Sequence, residues 1–271
     1  YVEAYHGKGT FCSEKMRHMK KSRNIAVVTT YISDYIFPRL IQGMDNILSE
    51  QGYSIILKNT GNSRQKEARC LEELLQKDID GLIIEPSKSQ LSCRHPNLYE
   101  NLDKYQIPYV FIQGIYTEMK DKPHILMDDV RGGYLVTQYL LELGHRSILF
   151  VNGPEDYTIS QDRLNGYKMA LEDFNVDFNP GLVLNCSFTA EGAYTAVSNY
   201  LNSTSRAATG MIVNDNSTTI GSLNALAHKG IRVPEDCSVI CGGESTLVKM
   251  YPTPITGIDL HHQQLGAYAA K

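Results

Sequence analysis

Four consecutive apolar residues, Ile25-Ala26-Val27-Val28, are followed within a dozen positions by Leu40, Ile41, Met44, Ile47 and Leu48 at helical spacing. No other stretch restricts the fold of this chain as much. A strand that is apolar at every position has no face for water, so it belongs inside a parallel sheet covered on both sides by helices. The helix is predicted to start at Pro38, because a first turn does not need the N–H that proline lacks. The loop between strand and helix reads Thr30-Tyr31-Ile32-Ser33-Asp34-Tyr35-Ile36-Phe37. In open parallel sheets ligands bind beyond the carboxyl ends of the strands, where this loop must lie. Tyr31, Asp34, Tyr35 and Phe37 are therefore candidate ligand-binding residues, since packing alone requires neither Asp34 nor Tyr35. The alternative is that the aromatic rings only cover the sheet edge.

Strand and helix then alternate along the chain. Strands are predicted at Tyr53–Leu57, Gly81–Ile84, Pro108–Ile112 and His124–Met127, with helices at Asn62–Gln76, Tyr99–Tyr105 and Arg131–Leu143. From Ser147 the pattern restarts. Strands are predicted at Ser147–Val151, Leu182–Asn185, Gly210–Val213 and Cys237–Ile240, and helices at Arg163–Phe174, Thr189–Asn202 and Thr218–Lys229. Asn152–Ser160 reads as a polar loop and Ile255–Asp259 as a short extended piece. Each half contains a strand, a polar loop and a helix bearing Gly-Met or Gly-Tyr. The predicted fold class is α/β, with two doubly wound parallel-sheet lobes around a central cleft, as in periplasmic binding proteins. A chain of 271 residues is long enough for two such lobes. They are assigned to residues 24–143 plus 259–271 and to 144–258. The helix predicted from Gln263 is unfinished at Lys271, so the natural protein is expected to continue by some tens of residues.

Charge is unevenly spread. Tyr1–Asn24 carries six Lys and Arg against two Glu, so a +4 segment leads into a −8 body within a net charge of −4. A basic lead into an acidic body suggests a join between two functions, one of them near a polyanion; a solvated linker is the alternative. The six cysteines form no C-x-x-C pair and have no histidine at metal-ligand spacing, so no metal is expected and they read as small core residues of a reducing compartment. No run approaches the ~18 apolar residues of a membrane span, and no secretory core opens the chain. The sequence thus reads as cytoplasmic, with no membrane partner.

Polar residues gather where the predicted strands stop: Asp34, Glu85, Lys88, Gln113 and Asp128 in the first half, then Arg163, Asn214, Asp215 and Glu244 in the second. With Tyr31, Tyr35, Phe37 and Phe188 they are the groups that hold a polyhydroxylated ligand. Charged and amide groups pair with hydroxyls, and aromatic rings cover the C–H face of a sugar. Catalytic signatures are missing: there is no G-x-S-x-G, no phosphate loop, no H-E-x-x-H and no G-x-G-x-x-G after the first strand. The chain is not expected to be an enzyme or to carry a cofactor; a doubly wound enzyme with an unrecognised site is an alternative.

Two resemblances sharpen this. Gly7-Lys8-Gly9-Thr10-Phe11 resembles the strand that closes the wing of GntR-type winged-helix DNA-binding domains. The resemblance implies that residues 1–13 are the remnant of such a domain, that 14–23 are a linker, and that operator DNA is bound through a preceding winged helix. From about Asn24 onward the chain resembles the effector domain of the LacI/GalR family of sugar-responsive repressors. The matching features are Asp128 before Gly132-Gly133, Leu143-Gly144-His145, Arg163-x-x-Gly166-Tyr167, Val213-Asn214-Asp215 and Val233-Pro234-Glu235-Asp236-Cys237-Ser238-Val239. Thr29–Pro38 and Asp80–Ser89 resemble the arabinose-responsive repressors most strongly. By resemblance, Asp128 and Arg163 bind sugar hydroxyls, Asn214 or Asp215 does so as well, Phe188 stacks on the ring, the effector is a small sugar with L-arabinose favoured, and the protein is a homodimer. Cys241-Gly242-Gly243-Glu244 departs from the Gly-Tyr-Asp-Asp usual at that place. A transport-type periplasmic sugar-binding protein is the alternative function.

Overall fold

In the computed structural model the described residues are 2–5, 9–12, 21–32, 36–204, 208–243 and 252–271. The chain divides into two units, Tyr1–Leu126 with His261–Lys271, and Met127–Leu260. A first pair of strands, β1 (Val2–Tyr5) and β2 (Gly9–Cys12), is antiparallel, with Val2 opposite Cys12 and Tyr5 opposite Gly9.

In the first unit, β3 (Asn24–Thr29), β4 (Ser54–Asn59), β5 (Gly81–Ile84), β6 (Tyr109–Ile112) and β7 (His124–Ile125) form a parallel sheet in the order β4-β3-β5-β6-β7. Helices α1 (Ile36–Glu50), α2 (Arg64–Leu75) and α3 (Pro96–Lys104) connect the strands. Ala26, Val28, Leu82 and Ile84 pack with Leu71, Leu74, Tyr99 and Leu102 from α2 and α3. Val27 and Ile83 turn to the other face, where α1 buries Phe37, Leu40, Met44 and Leu48. The fully apolar strand is thus buried on both faces, as its sequence requires.

The second unit repeats the topology. Strands β8 (Ile148–Asn152), β9 (Val183–Asn185), β10 (Gly210–Val213), β11 (Ser238–Cys241) and β12 (Thr256–Gly257) form a parallel sheet in the order β9-β8-β10-β11-β12. Its helices are α4 (Asp129–Glu142), α5 (Thr158–Asp173), α6 (Ala190–Ser203) and α7 (Asn216–His228). Ile148, Phe150, Ile212 and Ile240 face α4 and α5, while Leu149, Val151, Met211 and Val213 face α6 and α7. In both sheets the first strand lies between the second and third, so the connections leave it in opposite directions. That switch point falls between β3 and β5 in one unit and between β8 and β10 in the other.

The division corrects the expected lobe boundary after residue 143. Helix α4 belongs to the second unit because it packs on α5 with almost no space between the backbones. A Cβ on Gly166 would lie 2.0 Å from the Val130 oxygen, and one on Gly133 would lie 2.2 Å from that of Arg163. In the first unit the final helix, α8 (His262–Ala269), meets α1 in the same way, a Cβ on Gly43 falling 1.9 Å from the Gln263 oxygen. Helix α5 also begins earlier than expected, at Thr158 within the stretch read as a polar loop. Among the described residues no helix is long and apolar enough to cross a membrane.

Candidate functional site

At the switch point of the second unit, β8 ends in Asn152 and β10 runs directly into Asn214, and both side chains are almost wholly buried. Asn214 Nδ2 donates to Asn152 Oδ1 at 2.7 Å. The Arg163 side chain comes from α5 and is 8% exposed. Its Nη1 donates to the Asn214 carbonyl at 2.6 Å and its Nε to Asp129 Oδ1 at 2.8 Å. This guanidinium therefore ties the start of α4 to the end of β10. Burial pushes the Asp129 carboxyl up further than the Arg163 guanidinium draws it down. Gly242 leaves the space beside this group: a Cβ there would lie 2.8 Å from the Asn214 oxygen and 3.1 Å from Arg163 Nη1. Arg163, Asn214, Gly242 and the Gly132-Gly133 pair of α4 line a small cavity of about 10 Å³.

Phe188 is brought to the same end of the sheet. Its ring meets Tyr157 edge-on at 5.7 Å and lies over Gly153, where a Cβ would come within 2.1 Å of the Phe188 ring. Ser160 Oγ faces Gly153 and is buried with no partner among the described residues. The two other carboxylates expected here have structural duties. Asp128 caps α4 by accepting from the Arg131 N–H at 2.9 Å. Asp215 caps α7, taking the Ser217 and Thr218 N–H groups on one oxygen and the Thr218 hydroxyl on the other. Burial pushes the Cys186 thiol beside this group up to about 11, which keeps it from acting as a thiolate at neutral pH.

In the first unit the switch-point strands are joined by Thr30, whose N–H and hydroxyl both donate to Glu85 Oε2, at 2.8 and 2.6 Å. Glu85 thus stands at the strand end where the sequence placed it. Lys88 is exposed with positive φ, its N–H held by Asn62 Oδ1, and half-buried Gln113 also has positive φ. Tyr31 is exposed beside Thr30. Phe37 is a packing residue instead: α1 begins at Ile36, and its first turn aims Phe37 inward, 4% exposed. Asp34, Tyr35 and Glu244 lie outside the described residues.

Several residues of these groups are not evident from the sequence. Asp129, the acid that Arg163 holds, sits beside the expected Asp128, and nothing local distinguishes a cap from a partner. Asn152 and Asn185 each end a strand, a signal that was open to reading. Glu67 gives the least sign of its role in the sequence. This residue of α2 is fully buried and accepts from Ser87 N–H at 2.5 Å, Tyr99 OH at 2.8 Å and Tyr116 OH at 3.0 Å, with His95 Nε2 at 2.9 Å. Ser87 belongs to the loop after β5, and its hydroxyl pairs with Thr60 Oγ1 at 2.8 Å. Burial and then the Glu67 charge push the Tyr99 and Tyr116 hydroxyls far up, so both stay protonated donors.

Residues 22–271 match the family described as periplasmic binding proteins and sugar binding domain of LacI family. The arabinose metabolism transcriptional repressor of Halalkalibacterium halodurans is 34% identical over 279 residues, which cover 100% of this chain and 74% of that protein. The repressor of the same name from Geobacillus stearothermophilus is 32% identical over 271 residues, covering 98% of this chain and 73% of its own length. Among solved structures, a LacI family transcriptional regulator from Enterococcus faecium with bound ribose aligns at a TM-score of 0.75 and 28% identity, covering 91% of this chain and 87% of that one.

Proposed function

This chain belongs to the family of periplasmic binding proteins and LacI-type sugar-binding domains, and we propose that within it the chain is the effector-binding part of a cytoplasmic transcriptional repressor controlled by L-arabinose. The observation that carries this reading is the match of the whole chain, including the residues before the family domain, to an arabinose metabolism repressor. The transport-type alternative is not favoured, because these relatives are named as repressors.

The switch-point groups supply the chemistry. Arg163 has N–H groups beyond the two it gives to Asp129 and Asn214, and a guanidinium donates to hydroxyl oxygens without being able to lose its charge. Asn214 Oδ1 accepts from hydroxyls, and Phe188 offers a ring to the C–H face of a pyranose. Thr30 and Glu85 present the corresponding polar pair in the first unit. The antiparallel β1–β2 ribbon supports the reading of the first residues as the end of a GntR-type wing, with operator DNA bound by the winged helix before it and two copies of the chain acting as a homodimer on a two-fold operator. Sugar changes operator binding only if it favours one conformation of the repressor over another, since equal affinity for both shifts nothing.

Calorimetric titration with L-arabinose, D-ribose, D-xylose and D-galactose tests this. Saturable binding of L-arabinose in preference to the others is expected, and Arg163→Ala should weaken it at least tenfold, about 1.4 kcal/mol. Affinity within twofold of the parent would remove Arg163 from the site. Binding of none of these sugars would remove the reading itself.

A further inference from the structure

Four side chains form one line of hydrogen bonds across the ends of β10, β8 and β9. Asn214 Nδ2 donates to Asn152 Oδ1 at 2.7 Å, Asn152 Nδ2 to Asn185 Oδ1 at 3.2 Å, and Asn185 Nδ2 to Glu155 Oε1 at 2.5 Å. Taken singly, each amide fits its space either way round, because its oxygen and nitrogen ends have nearly the same shape. The far end of the line removes that freedom. Asn185 and Glu155 lie at the exposed end of the line, and because a carboxylate accepts and cannot donate, their 2.5 Å contact holds the Asn185 N–H toward Glu155. Its oxygen then faces Asn152, which must in turn offer N–H, and the constraint passes on to Asn214. Asn152 is 2% and Asn214 3% exposed, so little water reaches them to satisfy a reversed amide. Asn214 is left with Oδ1, which accepts from no described residue.

We propose that Glu155 sets the polarity of Asn214 through Asn185 and Asn152, so that this strand end offers a ligand a hydrogen-bond acceptor and never a donor. The inference rests on the reading of the second unit's switch point as part of the effector site. Glu155, Asn185 and Asn152 are positioning residues, and Asn214 is the group that meets the ligand. The consequence is a chemical rule for the effector: the atom opposite Asn214 must carry a hydrogen to donate. A hydroxyl satisfies it. Fluorine has nearly the same size but only accepts, so it faces the Asn214 oxygen with like polarity and is rejected more strongly than a bare hydrogen.

Two measurements test the inference, and one of them needs no ligand. Neutron diffraction from perdeuterated crystals should locate the Asn214 Nδ2 deuterons with one directed at Asn152 Oδ1. In Glu155→Lys the ammonium donates to Asn185 Oδ1, and the whole line should reverse, with Asn152 deuterons directed at Asn214 Oδ1. A reversed line in the parent, or the same orientation in both proteins, overturns the proposal. The second measurement is calorimetry of parent and Glu155→Lys with L-arabinose and each of its monodeoxy and monodeoxyfluoro derivatives. At one ring position the parent should bind hydroxyl above hydrogen above fluorine, with at least a tenfold loss from hydroxyl to fluorine. Glu155→Lys should exchange the order of hydrogen and fluorine at that position, and Glu155→Gln, which serves either polarity, should narrow the gap. An unchanged order in Glu155→Lys overturns the proposal. If the parent binds no sugar, the effector reading fails while the deuteron positions still decide the line of amides.

Discussion

The two units share a strand order, and each closes its switch point with a hydrogen bond between diverging strands, but the bonds are braced in different ways. In the first unit Thr30 holds Glu85, and the loop that follows Glu85 is pinned from beneath by Glu67, whose neighbours Ser87, His95, Tyr99 and Tyr116 are all protein groups. In the second unit Asn214 holds Asn152, and the bracing comes from the side, through the Arg163–Asp129 pair and the line of amides. The first arrangement is closed, because its acid is fully buried and every hydrogen bond given to it comes from within the core. The second is open, because Asn214 keeps an acceptor that no described residue uses. The contrast teaches that one polar cluster serves the shape of a loop, and the other leaves polar atoms at a strand end that no described residue uses.

The largest expected effect falls on the closed cluster. Glu67→Ala leaves the Ser87 N–H and the Tyr99 hydroxyl buried with no acceptor, while Tyr116 keeps the Ser87 carbonyl at 3.0 Å, and should destabilise the protein by about 3–5 kcal/mol in urea unfolding. A loss below about 1 kcal/mol would mean that water replaces the carboxylate and that the cluster is not closed.

The helix contacts come next, and they probe what the units have in common. Gly166→Ala places its Cβ 2.0 Å from the Val130 oxygen, and Gly43→Ala 1.9 Å from that of Gln263. Each should cost about 2–3 kcal/mol, because backbone must move to admit the methyl group. A cost for one and none for the other would break the equivalence of the two helix pairs.

A smaller effect separates the units by pH. Burial pushes the Asp80 carboxyl of the first unit up, but the hydrogen bonds from Ser22 and Arg23 outweigh it and leave its pKa below the ordinary value. A depressed carboxyl adds stability that is present above the unfolded pKa of ~4 and lost as pH falls through the folded value. Asp80→Asn should therefore destabilise by about 1 kcal/mol at pH 7 and by almost nothing near pH 2. Asp129 has the opposite sign: with its pKa raised, its contribution is most favourable in acid and declines as pH rises through the folded value. An Asp80→Asn deficit that persisted unchanged into acid would locate the effect in packing.

The smallest expected change is a gain. At Gly132 a Cβ would meet no atom within 4 Å, although the adjoining Gly133 has no room for one. Gly132→Ala should stabilise α4 by roughly 0.5–1 kcal/mol. A loss would show that α4 needs Gly132 for something other than space.

Much of the fold was legible because its signals are local. Gly81–Ile84 and Gly210–Val213 have the bounds that their sequence predicts, since short apolar runs between turn residues have one reasonable use. The start of α5 is not legible in sequence because Thr158-Ile159-Ser160-Gln161 is polar at most positions; the helix there buries Ser160 against Gly153, a contact that no spacing announces. In the candidate site, Glu85, Arg163, Phe188 and Asn214 stand at strand ends or on the helix that reaches them. Phe37 is taken up by packing, and Asp128 and Asp215 each cap a helix at the same strand ends, uses that their residue types suit equally well.

By itself, then, the chain determined the alternation of strands and helices, the burial of both sheet faces and the clustering of polar groups at the carboxyl ends, because each follows from residue order within a dozen positions. Only the tertiary structure decided which carboxylate meets Arg163, that α4 belongs with α5, and that Glu67, in a helix that looks amphipathic and ordinary, lies fully buried. These depend on side chains brought together from distant parts of the chain, where a charge is stable only if its partners are already in place. No single stretch of sequence contains both halves of such a pair.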